Sequence, residues 1–248
     1  MTLHLNIMIR ARYGVLVLLL GLLATPVRLL AADNNPDPHY TRAGFFDIHV
    51  CNWPKQPLFF LALFSTRQFN DIASVEIAMP DGTSLGQLRL DKYRIVMQKG
   101  KTEKRVFLRQ IDVPKDATDG WYRARITLNN GEVIEAKDYV ILDTMARADK
   151  LVPANDAEDI PVPTVLRWAP IKAARYYQVY IKDLWNGGQQ IYTSALLQKP
   201  ELQVPKGLLQ ANGLYSWRVH ARDVNEHVLL GDFNHGSLSS EARFSTAP

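Results

Sequence analysis

Apolar and polar positions alternate along most of this chain, most plainly in Tyr215-Ser216-Trp217-Arg218-Val219-His220-Ala221-Arg222. Tyr215, Trp217, Val219 and Ala221 fall on one side of an extended backbone, and Ser216, Arg218, His220 and Arg222 on the other. That is the pattern of a half-buried strand with one wet face. Shorter runs predict strands over 44–51, 58–65, 73–79, 84–90, 92–98, 104–111, 120–128 and 132–142. Pro80-Asp81-Gly82 marks one turn between them. Asn130-Gly131 marks a tight hairpin, because the pair accepts the positive φ angles such a turn needs. Strands at this spacing predict an all-β chain of antiparallel sandwiches.

Punctuation divides the chain. Arg10 and Arg12 precede an apolar run from Tyr13 to Ala24, and Leu29-Leu30-Ala31-Ala32 offers small residues for cleavage. Residues 1–32 therefore read as an export signal, with an uncleaved anchor as the competing reading. Residues 33–42, polar and proline-rich, read as a flexible leader. The first sandwich is expected over 43–145. A charged segment at 146–163, carrying Pro153, Pro161 and Pro163, links it to a second sandwich over 164–248.

Two stretches resemble known families. Asp119-Gly120-Trp121-Tyr122-Arg123-Ala124 resembles the tyrosine corner of immunoglobulin-like domains, which implies that the Tyr122 hydroxyl bonds back to the backbone. Ala124 stands where antibody-type domains place a cysteine, so the likeness excludes that disulfide. The second half resembles a fibronectin type III module. Leu166 and Trp168 match its early strand, Tyr177, Val179 and Ile181 its alternating strand, and Leu209, Tyr215, Val219 and Ala221 its late signature. Ala211 departs from it where a proline is common. The resemblance implies a core built on Trp168, Tyr177, Tyr215 and Trp217 and says little about activity.

Charge and cysteine narrow the partners. The chain has 29 bases and 25 acids, with a pI near 9.1. Arg10, Arg12 and Arg28 lie within the first 32 residues, which hold no acid, so the remainder has 26 bases against 25 acids. A nearly neutral body is not expected to seek nucleic acid. Cys51 is the only cysteine, so no internal disulfide forms and the domains rely on packed cores. In its strand-like run it reads as a small buried apolar group.

Candidate chemistry is sparse. Trp185-Asn186-Gly187-Gly188 reads as a hairpin tip, with Trp185 expected to fold over the sandwich end and cover core. The alternative is an exposed indole that stacks on sugar rings, helped by Tyr176, Tyr180 and Tyr192. Between the last two strands, Asp223, Asn225, Glu226, His227, Asp232, Asn234 and His235 form a polar loop suited to a partner contact or a divalent cation. It lacks the ligand spacing of a known cation motif. His220, Arg218 and Arg222 read as a solvated face. Lys99, Lys101, Lys104 and Arg105 read as a solvated turn. Gly82-Thr83-Ser84-Leu85-Gly86 fits a nucleophile elbow in letters only, since a strand and not a helix is expected after Ser84.

No cofactor or metal motif appears in the sequence, and no enzyme activity is expected. The function expected is that of a non-catalytic exported binding or adaptor module in the periplasm, at the cell surface or secreted. It would act through strand edges and end loops on an envelope or extracellular protein. No membrane span is expected after signal cleavage. The alternatives are a polysaccharide-binding accessory module and a hydrolase with an unrecognised site.

Overall fold

The computed structural model describes residues 37–97, 99–223 and 233–248. The first half contains β1 (Tyr40–Thr41), β2 (Gly44–Asn52), β3 (Phe59–Thr66), a 3₁₀ turn at Phe69–Asp71, β4 (Ile72–Ala78), β5 (Ser84–Gln87), β6 (Tyr93–Val96), β7 (Lys104–Asp112), β8 (Gly120–Leu128) and β9 (Val133–Val140). The second contains β10 (Ala157–Ile160), β11 (Val165–Arg167), β12 (Tyr176–Asp183), β13 (Gln189–Thr193), β14 (Glu201–Gln203), β15 (Leu214–Arg222), β16 (His235–Leu238) and β17 (Ala242–Thr246). The architecture is all-β, and the hairpin at Asn130-Gly131 closes with Gly131 at φ 84°.

Alternation builds the first core. In β8, Tyr122, Ala124, Ile126 and Leu128 point inward, and they meet Phe46, Ile48 and Val50 of β2 and Phe60, Ala62 and Phe64 of β3. One layer is the sheet β5-β4-β8-β9; the other runs β2-β3-β7-β6. Tyr122 is buried, stands edge-on to Phe60 at 5.3 Å, and donates its hydroxyl to the Thr118 carbonyl at 3.1 Å. Burial, helped by the Asp119 charge, raises its phenol to about 12, so it remains a donor.

The second core gathers Trp168, Tyr177, Val179, Ile181, Tyr215, Trp217, Val219 and Phe244. The ring of Trp168 lies 5.3 Å from Tyr177 and 6.2 Å from Trp217. The hydroxyls of Tyr177 and Tyr215 accept from the backbone N–H groups of Ile171 and Gln210. Met145 and Ala148 also pack into this core, although Met145 falls inside the first sandwich as expected from sequence and Ala148 inside the linker. β10, in the same expected linker, pairs in parallel with β17.

The two sandwiches are joined along one sheet. β15 pairs along one edge with β12, and along the other with β17 and then β16. β16 in turn runs parallel to β2, with His235 opposite Val50, Gly236 opposite Cys51 and Ser237 opposite Asn52. One sheet of 11 strands therefore crosses both halves. The connection is strapped to this seam. His235 Nε2 lies 2.7 Å from the Ile141 carbonyl, Asn52 Nδ2 donates to Met145 O at 2.9 Å, and Ser237 Oγ to Ala146 O at 2.7 Å.

Part of the expected leader is also structured. Tyr40 and Thr41 pair with β2, and the Lys137 N–H donates to the Pro38 carbonyl. The polar composition of 33–42 had masked a segment that caps the β9 edge. Residues 1–36, which include the expected export signal, lie outside the described residues.

Removing only the Tyr122 hydroxyl tests the packing account. Tyr122→Phe keeps the ring against Phe60 and is expected to lose about 1 kcal/mol of unfolding free energy, the net worth of one buried hydrogen bond. Urea unfolding with an unchanged m-value checks it; a variant as stable as the parent would remove that bond from the account.

Candidate functional site

The chain's titratable chemistry collects on and beside the seam. Strand alternation sends Phe46, Ile48 and Val50 of β2 into the first core, leaving Phe45, Asp47, His49 and Cys51 for its opposite face. That face is also covered: Asp47 and Cys51 are 0% exposed and His49 is 3%. His49 Nε2 lies 2.6 Å from Asp47 Oδ2. Pairing through Gly236 puts His220 and Arg222 of β15 on this same face. Phe233 fills the space between, its ring centroid 3.8 Å from His49 and 5.3 Å edge-on from His220. Only glycine fits at 236, since a Cβ there would meet the Phe233 ring at 2.5 Å and His220 Nε2 at 2.9 Å.

His220 corrects the solvated-face expectation: it is 7% exposed. Burial, with Arg222, His49 and Arg218 nearby, holds its pKa well below the usual imidazole value, so the ring is neutral. Arg222 donates from Nε to His220 Nδ1 at 3.3 Å and from its terminal nitrogen to Gln178 Oε1 at 2.7 Å. Cys51 is buried, and burial together with the Asp47 charge pushes its thiol up to about 12, against the pull of Arg222. A thiol held so firmly protonated is a packing group.

At the other end of β2, His39 turns both ring nitrogens to carboxylates, Nδ1 to Asp37 at 2.7 Å and Nε2 to Asp138 at 3.0 Å. Asp138 also accepts the Ile48 N–H at 2.7 Å. Burial alone would lower the His39 pKa; the hydrogen bonds and charges of Asp138, Asp37 and Asp47 outweigh it and raise it to about 9. His39, Asp47 and Asp138 offer donor atoms within 4.8 Å of one another. With a proton on each nitrogen, however, His39 bridges carboxylates and presents no lone pair to a cation.

Of the residues singled out in the polar loop, Glu226, His227 and Asp232 lie outside the described residues. Asp223 and His235 come together. Asp223 Oδ1 accepts the N–H groups of Asn234 and His235 at 2.9 Å, and Oδ2 lies 2.7 Å from His235 Nδ1. The Asp223 hydrogen bond raises the His235 pKa against the effect of burial. This pair closes the loop's base, so its nitrogens and oxygens are committed to the fold.

Trp185 is 67% exposed, which corrects the reading that folds it over the sandwich end. The sugar platform does not assemble round it. Tyr180 donates to Gln178 Oε1 at 2.9 Å and sits 5.8 Å below the Arg218 guanidinium, while Tyr192 packs on the second core. Ser84 opens β5, which pairs antiparallel with β4, so the segment is strand-turn-strand and lacks the helix of a nucleophile elbow. Sequence reading missed the exposed Trp121–Tyr139 pair, 5.3 Å apart on β8 and β9, and the apolar edge formed by Tyr93, Ile95 and Met97.

No protein-family model matches this chain, and no curated protein does. Among solved structures it is similar to Tp47, the 47-kilodalton lipoprotein of Treponema pallidum, at TM-score 0.37 and 10% identity, over 80% of this chain and 50% of that one. It is also similar to SGBP-B of the Bacteroides ovatus mixed-linkage glucan utilization locus, solved in complex with a mixed-linkage heptasaccharide, at TM-score 0.23 and 11% identity, over 79% and 43%. Titin domains A168–A170 give TM-score 0.23 and 13% identity, over 78% and 61%. The chain thus spans half the length of the Treponema lipoprotein. Its β-sandwich architecture stands on the strand pairing itself.

The two histidines set opposite pH limits. His39 has a raised folded pKa, so its contribution is complete below about 6.5 and is lost as pH rises through about 9. His220 has a lowered one, so below about 6.5 the unfolded chain gains a proton that the folded chain refuses, and stability falls. Melting temperature is expected to peak near neutrality. His39→Gln should flatten the alkaline limb alone; an unchanged limb in that variant would contradict the assignment.

Proposed function

We propose that this chain is an exported, non-catalytic binding module, an immunoglobulin-like sandwich followed by a fibronectin type III-like one, which takes an extended segment of a protein partner along β6. The observation that carries this reading is the open edge. β6 pairs with β7 on one side, and among the described residues no strand covers the other. Ile95 is 56% exposed, Met97 69% and Tyr93 38%. Sheet edges are normally guarded against pairing, so an apolar edge is a place where backbone hydrogen bonds and alternate side-chain contacts can be offered together.

The local charge defines the partner further. Tyr93 stacks edge-on to Phe107 at 5.9 Å, and the Arg105 guanidinium covers its ring at 4.2 Å. Arg94 points to the face opposite Tyr93 and Ile95, and Lys99 and Lys101 follow in the turn. The fitting occupant is a β-strand with alternate apolar side chains and acidic flanks. Export is supported by the basic residues and apolar run before Ala32.

Affinity capture from the native envelope, with mass spectrometry of retained proteins, tests the edge. Ile95→Lys places a charge on an exposed position and is expected to leave the melting temperature unchanged. It should lose the partner held by the parent, while Trp185→Ala keeps it. Equal retention by Ile95→Lys and the parent would remove β6 from the reading.

A further inference from the structure

A cleft of about 490 Å³ lies where the β2–β3 connection overhangs the passage from β16 to β17. Both sandwiches contribute walls: Trp53 and Lys55 from the first, Arg218, Leu238, Glu241 and Arg243 from the second. The volume lies in the range of pockets that enclose small ligands.

Trp53 is fixed by its edge-to-face contact with Phe59, 5.1 Å at 89°. The N–H groups on Trp53 (Nε1) and Arg218 (Nε) are enclosed and find no acceptor among the described residues. The charges are unevenly committed. Glu241 accepts from Ser216 Oγ and lies 3.6 Å from Lys182 Nζ. Asp156, at the rim, accepts from Asn155 Nδ2 at 2.6 Å. Lys55, Arg218 and Arg243 have no carboxylate within ion-pair distance among the described residues. The cleft therefore holds three cations, Lys55, Arg218 and Arg243, beside two carboxylates, with the Arg218 charge among those that lower the Glu241 pKa.

We infer that this cleft binds a carboxylated sugar, a uronic-acid unit of an acidic saccharide, with its ring against Trp53 and its carboxylate between Arg218 and Arg243. Guanidinium groups match a carboxylate in a planar, two-bond geometry that lysine alone does not give. An indole wall takes the apolar face of a sugar ring. A phosphate has no flat face to use Trp53, and a neutral sugar leaves the cations unanswered. The site is separate from β6, so it stands or falls apart from the protein-binding reading.

Titrating purified protein with digalacturonate, followed by calorimetry and tryptophan fluorescence, tests it. Saturable binding with a dissociation constant near or below about 1 mM is expected. Cellobiose and a peptide C-terminal carboxylate (acetyl-Gly-Gly) should bind at least about tenfold more weakly. Arg243→Gln, at an exposed position, should weaken digalacturonate about tenfold, and Trp53→Phe should reduce both binding and the fluorescence change. Melting curves establish that each variant is folded. No saturation by digalacturonate, equal binding of cellobiose, tighter binding of the peptide, or full affinity in Arg243→Gln would each overturn the assignment.

Discussion

Three residues of parallel pairing between β16 and β2 govern the rest of the structure. Each strand would otherwise present an unpaired edge, and open edges invite association with other chains. Joining them removes two edges at once and merges one sheet from each half into a continuous sheet. The side chains around the ladder reinforce it: Asn52, Ser237 and His235 all bind the connecting segment between the halves. The seam also creates the cleft beside Trp53, because walls from different sandwiches meet there.

The same pairing explains why so many ionisable groups are buried. A strand at the edge of a lone sandwich has one dry face and one wet one. β2 and β15 each have two covered faces, so Asp47, His49 and His220 are removed from water along with their apolar neighbours. Burial of polar groups costs free energy unless partners are supplied. Asp47 meets His49, Asp138 meets His39 and the Ile48 N–H, and His220 stays neutral beside Arg222. These groups define a register more closely than apolar contacts alone would, since a slipped β16 would bring a side chain in place of Gly236 against Phe233 and His220.

Much of the fold was legible in local pattern. Alternation located β2, β3, β4, β7, β8 and β9 to within a few residues, and Asn130-Gly131 marked its hairpin because only a narrow backbone geometry suits that pair. What could not be read was which faces meet. Ser216, His220 and Arg222 alternate as a wet row should, yet Ser216 and His220 are buried by elements distant in sequence. The His39–Asp138 pair is separated by 99 positions, beyond any local signal. Asp47 and His49 did carry a signal, since an Asp-x-His step on a strand places both on one face with Phe45 and Cys51. Trp53 carried none, because a tryptophan after a strand reads alike whether it lines a cleft or covers a core.

Both proposed binding sites follow from how the sandwiches are joined and from which edges, among the described residues, the joining leaves open. β6 remains open at one end of the shared sheet, and the cleft opens at its middle. Differential scanning calorimetry of the whole chain bears most directly on the joining. One cooperative transition, with calorimetric and van't Hoff enthalpies equal, is expected if β2 and β16 unite the halves. Two resolved transitions, one for each sandwich, would contradict it.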